Sequence, residues 1–184
     1  NPIETLKKKG ATVLINISAS PYSFGKRKER LEMLSILCRQ DKVPLAYVCC
    51  VGVQTDLVFD GGSMCLDKHG KLVQLGKAYE EDFILFDSEK DKEIKIEVEK
   101  TFEEEVLASL IYGVKEYFEK MNFKKAVVGL SGGLDSAMVT YIAVEALGKE
   151  NVHVVMMPSK YSSQGSVTDS KKLIKNLGIS ADNV

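Results

Sequence analysis

The segment Gly129-Leu130-Ser131-Gly132-Gly133-Leu134-Asp135-Ser136 carries the clearest chemistry in the chain. It follows the apolar run Ala126–Leu130, which reads as a buried strand, and it precedes a run that reads as a helix over 137–147. A helix N-terminus presents unpaired N–H groups and a partial positive charge, so it is an anion site. Gly132 and Gly133 lack side chains, and the backbone there can fold tightly and approach phosphate oxygens. Ser131 and Ser136 add hydroxyl donors. Asp135 is out of place in a site for an anion alone. It fits if a Mg²⁺ ion lies between its carboxylate and the phosphates. No lysine follows the glycines, so this is not the P-loop of kinases and GTPases. The plainer alternative is a Gly-Gly turn with serine and aspartate as helix caps.

The elements around the loop must form a parallel sheet to hold it. Val152–Met157 reads as the next strand, which completes strand–loop–helix–strand. Gly148 stands where the helix should stop. Another helix is expected over Thr168–Leu177, capped by Ser166 or Thr168 and ended by Gly178. The polar stretch before it falls at the carboxyl end of a parallel strand, where such sheets bind ligands. Upstream, Thr101-Phe102-Glu103-Glu104 fits a capping box. Val106, Leu107, Leu110, Ile111, Val114, Tyr117 and Phe118 then mark one helical face.

The first half reads differently. Residues 12–17 form an apolar run expected as a buried strand, and 18–25 has loop chemistry. Leu31, Leu34 and Cys38 make a helical stripe over 26–39. A second apolar strand covers 45–51, with Cys49 and Cys50 expected in the core. Short strands follow at 57–59, 63–66, 72–75 and 83–86, with a hairpin turn at Lys68-His69-Gly70. Between Ser88 and Lys100 nine of thirteen residues are charged. That stretch reads as a solvated linker, with alternating Ile94, Ile96 and Val98 allowing a short edge strand. The chain therefore divides into 1–87, a linker at 88–100, and 101–184.

Composition excludes several classes. Net charge is −1 from 25 basic and 26 acidic side chains, so nothing favours nucleic acid. No apolar run approaches the roughly 20 residues a bilayer requires. The four cysteines, Cys38, Cys49, Cys50 and Cys65, contain no CxxC pair and read as reduced thiols of a cytoplasmic protein. His69 and His153 have no partner pattern in sequence.

Ser131-Gly132-Gly133-Leu134-Asp135-Ser136 after a strand resembles the pyrophosphate loop of the ATP pyrophosphatase family. Met157-Pro158-Ser159-Lys160-Tyr161-Ser162-Ser163-Gln164-Gly165-Ser166-Val167-Thr168-Asp169-Ser170 resembles the corresponding stretch of glutamine-dependent NAD synthetases. So do Tyr117–Phe123 and Glu145–Gly148. Gly10–Tyr22, with Gly25, Lys26 and Arg30, is similar to the nitrilase-like glutaminase domain of that family, and so is Asp56–Ser63. The resemblance spans nearly the whole chain, in the order glutaminase, linker, synthetase.

The resemblance implies an α/β fold: the C-terminal part of a nitrilase-like α-β-β-α sandwich, then the first βαβ units of a Rossmann-like, parallel-sheet domain. It implies amidation of deamido-NAD to NAD by ATP and glutamine-derived ammonia, through an adenylated carboxylate, releasing pyrophosphate and AMP. Gly129, Leu130, Ser131, Gly132, Gly133, Leu134, Asp135, Ser136 and Met157 would bind ATP, with Asp135 on Mg²⁺. Ser159, Tyr161, Ser166 and Asp169 would face deamido-NAD or the nucleotide. Ser20 and Lys26 would hold glutamine, Lys26 standing where family members often carry Arg; the alternative is a loop serine and a surface lysine. Tyr22 would line or cover that pocket. The family's Glu–Lys–Cys triad is expected upstream, so residues 1–184 read as an internal fragment that hydrolyses no glutamine by itself. A homo-oligomer is implied. Two other readings share these residues: another amidotransferase of the family, such as a GMP synthetase, or a non-catalytic nucleotide-binding remnant.

Overall fold

The structure is a computed structural model that describes residues 2–95, 101–158 and 163–184. Two compact units divide the chain, Asn1–Ser109 and Leu110–Val184.

In the first unit, α1 (Pro2–Lys8) leads to β1 (Leu14–Ser18), α2 (Lys26–Asp41), β2 (Leu45–Cys49), β3 (Val51–Gln54), β4 (Leu57–Asp60), β5 (Met64–Leu66) and β6 (Leu72–Leu75). The first sheet runs β1-β2-β5-β6, and β3 and β4 form a separate hairpin. Parallel strands need a crossover, and α2 supplies it between β1 and β2. The stripe Leu34 and Cys38 on α2 packs on Leu14, Leu45, Tyr47, Met64, Leu66 and Leu72. Burial of that apolar area is the main force seating the helix on the sheet. The turn Asp67–Gly70 joins β5 to β6, with Asp67 accepting from the His69 and Lys71 amides at 2.8 Å each.

Helix α3 (Phe102–Lys120) opens with the expected capping box. The Thr101 amide donates to Glu104 Oε2 at 2.9 Å, and the Glu104 amide donates to Thr101 Oγ1 at 3.3 Å. Two orphan donors of the first turn are satisfied reciprocally.

The second unit contains β7 (Ala126–Gly129), α4 (Leu134–Leu147), β8 (Val152–Met156), α5 (Gln164–Leu177) and β9 (Ser180–Asn183). All three strands are parallel, in the order β7-β8-β9. Both crossovers step the same way, and right-handed crossovers then place α4 and α5 on one face. Leu130, Val154, Met156 and Ile179 form the core beneath them, joined by Val144, Leu173, Ile174 and Leu177. Left-handed Gly178, at φ +65°, ends α5 as its type suggests.

Several expectations are corrected. The run 12–17 is not a buried strand throughout: Ile15 and Ile17 are 71% and 83% exposed. Leu14 alone of the five residues of β1 is buried, and Asn16, two residues on and on the same face of the pleat, is exposed as well. The apolar stretch 45–51 breaks at Cys50, which is exposed; only Cys49 is in the core. Residues 83–86 form no strand, and Phe83 and Leu85 stand open to solvent. Helix α4 starts at Leu134, not Ala137, because Asp and Ser are well suited to a first turn. Helix α5 starts at Gln164, capped by Ser163 rather than Ser166 or Thr168. Helix α1 and strand β9 were not foreseen. Ile96 and Val98, part of the possible edge strand, lie outside the described residues; Ile94 bonds its amide to the Leu72 carbonyl at 2.8 Å without forming a strand.

Candidate functional site

The loop between β7 and α4 is closed on itself by its serines. Ser136 Oγ accepts from the Ser131 amide at 3.2 Å and donates to the Gly133 carbonyl at 3.0 Å. The two hydroxyls lie 3.0 Å apart, and Ser131 Oγ accepts from the Gly133 amide at 3.3 Å. Thr140, fully buried one turn further on, donates to the Ser136 carbonyl at 2.7 Å and fixes the base of the turn. The N-cap residue is Gly133, which has no side chain to cap α4. The first-turn N–H groups are thus left for solvent or an anion. Backbone amides and hydroxyls converge in a small volume, and hydroxyl oxygens stand where anionic oxygens could be received.

Gly132 has φ +85°, a conformation that strains any residue with a Cβ. A Cβ there would also come within 2.7 Å of both the Cα and the carbonyl carbon of Ser166. The loop and the start of α5 are therefore in backbone contact, at Gly132 and Ser166. Ser166 is also engaged at the cap: its amide donates to Ser163 Oγ at 3.0 Å, and its hydroxyl lies 2.8 Å from the same atom. Asp169, one turn along, lies 3.5 Å from Lys172 Nζ. Leu130, Gly132, Ala137, Asp169, Lys172 and Asn176 line a groove of about 270 Å³. Met157, 67% exposed, follows β8, and its methyl would be 3.7 Å from a Cβ on Gly129. Leu134 and Asp135 are exposed in the first turn of α4. Ser159 and Tyr161 lie outside the described residues.

The first unit carries the other expected residues. Ser20 and Lys26 flank the loop that leads into α2, and Lys26 Nζ donates to the Pro21 carbonyl at 3.2 Å. Behind them lies a buried charge cluster that sequence reasoning did not find. Arg30 NH1 and NH2 each donate to Asp60 Oδ1 at 3.3 Å, and Arg27 NH2 donates to Asp60 Oδ2 at 3.4 Å. The sequence held a signal for it: Arg30 sits four residues before Leu34 and eight before Cys38, on the buried stripe itself. Tyr22 packs edge-on against Tyr79 at 6.4 Å. Burial pushes the Tyr22 phenol up, with the Glu105 and Asp60 charges adding to it. Burial pushes Tyr79 up to about 12. A larger cavity, about 450 Å³, lies in this unit among Tyr47, Cys49, Cys65 and Lys77, and does not include Ser20 or Lys26.

The sequence offers no partner for His153. The fold supplies two: Nδ1 lies 2.8 Å from Ser180 Oγ and Nε2 lies 3.2 Å from Asp182 Oδ2, both on β9. Those residues point to one face of the sheet, with His153 in register with Ser180.

Parallel strands, a glycine loop feeding an uncapped helix, and a second helix touching that loop define a parallel-sheet α/β domain, and the NAD synthase family model matches residues 106–184. Across its whole length the chain is 41% identical to the glutamine-dependent NAD(+) synthetase of Synechocystis sp., covering 34% of that protein. Over 97% of the chain it is 38% identical to the enzyme of the same name from Thermotoga maritima, covering 38% of it. Along its whole length the chain is similar to glutamine-dependent NAD synthetases, and it spans about a third of the length of these relatives. The structure of the Acinetobacter baumannii glutamine-dependent NAD+ synthetase, solved in complex with ADP, superposes on 99% of the chain and 35% of its own, with TM-score 0.93 and 32% identity. The enzyme from Cytophaga hutchinsonii shares the fold at TM-score 0.84 and 20% identity over 96% of this chain and 36% of that one.

Proposed function

We propose that this chain supplies the ATP site and part of the glutamine pocket of an enzyme that amidates deamido-NAD to NAD. On this reading residues 1–87 are the C-terminal part of a nitrilase-like glutaminase domain, 88–100 a linker, and 101–184 the first part of the synthetase domain. The observation that carries the proposal is the Ser131–Ser136 loop at the uncapped N-terminus of α4, in backbone contact with Ser166.

Gly129 to Ser136 and Met157 bind ATP. The amides of Ser131 and Gly133, now held by serine hydroxyls, turn to the phosphate oxygens, and the hydroxyls donate alongside them. The first turn of α4 holds the negative charge that grows on pyrophosphate as it leaves the α-phosphorus. Ser159, Tyr161, Ser166 and Asp169 contribute to the site for deamido-NAD or the nucleotide, and the carboxylate of deamido-NAD attacks that phosphorus. Ammonia then displaces AMP from the mixed anhydride.

Mg²⁺ fits this loop. Among the described residues no group of three or more His, Cys, Asp or Glu side chains could hold a metal. Asp135 is one exposed carboxylate beside the phosphate position, and one carboxylate plus phosphate oxygens is the usual Mg²⁺ arrangement. Bound there, the ion would neutralise charge on the β- and γ-phosphates. Ser20 and Lys26 hold glutamine in the other unit. Among the described residues no helix is long and apolar enough to cross a membrane. Free Cys38, Cys49, Cys50 and Cys65 support a cytoplasmic setting, and a homo-oligomer is part of the proposal.

The test uses a protein of the relatives' length that carries this chain. Pyrophosphate release should require deamido-NAD and not proceed with xanthosine monophosphate. Release with xanthosine monophosphate alone would assign the site to a different amidotransferase.

A further inference from the structure

We propose that Arg30 and Asp60 are positioning residues for the glutamine pocket, acting by holding the backbone of the loop that carries Ser20. The proposal rests on the reading of Ser20 and Lys26 as glutamine ligands.

Arg30 is 5% exposed and Asp60 3%. A buried guanidinium–carboxylate pair is a poor way to seat a helix, because apolar side chains of similar volume do so at no desolvation cost. Leu34 and Cys38 already do this for α2. What the pair adds is directional hydrogen bonding. Arg30 NH2 donates to the Ser20 carbonyl at 3.4 Å while both its terminal nitrogens rest on Asp60 Oδ1. Asp60 Oδ2 takes Arg27, so both carboxylate oxygens are used.

The same loop is tethered twice more. Lys26 Nζ donates to the Pro21 carbonyl at 3.2 Å, and the Tyr22 amide donates to the Val58 carbonyl at 2.7 Å. Val58 and Asp60 both belong to β4, so one strand fixes the loop by its backbone and, through Arg30, by its last side chain. Three successive residues, Ser20, Pro21 and Tyr22, thus have a main-chain group anchored. A loop held in this way is preformed: glutamine meets Ser20 without first ordering the chain, and its affinity keeps the entropy otherwise lost. Lysine at position 30 keeps the charge but cannot reach two acceptors with a planar fork.

The experiment again uses a protein of the relatives' length, with Arg30→Lys and Asp60→Asn. NAD synthesis is measured with glutamine and, separately, with ammonium. Both variants should raise the glutamine KM about tenfold, with kcat within about twofold and the ammonium-supported rate unchanged. Soluble variants with an unaltered glutamine KM, or with equal losses on ammonium, overturn the proposal. If the unsubstituted protein uses ammonium but not glutamine, the pocket reading itself has failed and takes the proposal with it. Should both variants fail to fold, amide exchange on the unsubstituted protein decides. Adding a non-hydrolysable methyl-ketone analogue of glutamine should change exchange at Tyr22–Gly25 less than about twofold; protection rising more than about tenfold would show an unformed loop and overturn it.

Discussion

Gly132 and Ser166 stand so close that position 132 cannot carry a side chain: a Cβ there would press into the Ser166 backbone, and φ is already +85°. The contact ties the Ser131–Ser136 loop to the helix that follows the next strand, so the loop's shape depends on both crossovers of the sheet.

Gly132→Ala should therefore damage the site more than the fold. A left-handed residue with a Cβ costs on the order of 1–2 kcal/mol, and the backbone clash adds to that. Titration calorimetry with Mg·ATP should show at least about tenfold weaker binding, whereas Gly165→Ala, whose Cβ would meet only Ser163 Oγ at 3.7 Å, should bind within about twofold.

The cap of α3 offers an independent check on local structure. Thr101→Ala removes the acceptor for the Glu104 amide and should lower stability in urea by about 1 kcal/mol, while Thr101→Ser keeps it within a few tenths. Equal losses for both would show that the hydroxyl does not cap the helix in solution.

The cysteines should separate by reactivity. Burial pushes the Cys38 and Cys65 thiols up to about 11, with nearby carboxylates adding to it: Asp67 and Asp41 at Cys38, Asp91 at Cys65. Iodoacetamide at pH 8 should label Cys50 alone in the folded chain and all four cysteines in urea. The sign of the pH effect follows. These thiols hold their protons more tightly folded than unfolded, so their contribution is intact below about pH 9 and is lost as pH rises from 9 to 11. Urea midpoints should fall over that window and be flat from pH 7 to 8.

Much of the chain from Thr101 onward was legible in the sequence because its signals are local. Two glycines between an apolar run and a helix, a Thr-x-x-Glu box, and Gly148 and Gly178 as stops each act within a few residues. The errors have the same origin. Asp135 and Ser136 looked like loop residues because they are polar, yet polarity is what a first turn favours. Ser180–Asn183 has no strand propensity of note and becomes a strand through its register with His153–Met156. That pairing also gives His153 its partners. In the first unit, Arg30 and Asp60 meet across thirty residues of chain, and no spacing rule connects a helix position with the end of a hairpin. Cys50 looked like core because it sits in an apolar run, but it falls in the break between β2 and β3 and is exposed.

On the proposed function, the loop beside α4 lets a carboxylate of the substrate attack the α-phosphorus of ATP and take its adenylyl group. Deamido-NAD carrying ¹⁸O in its nicotinate carboxylate tests this directly, in a protein of the relatives' length supplied with ATP and ammonium. Carboxylate attack followed by ammonia displacement leaves one labelled oxygen on AMP and none on pyrophosphate. Label found in inorganic phosphate with ADP as product, or AMP free of label, would contradict it.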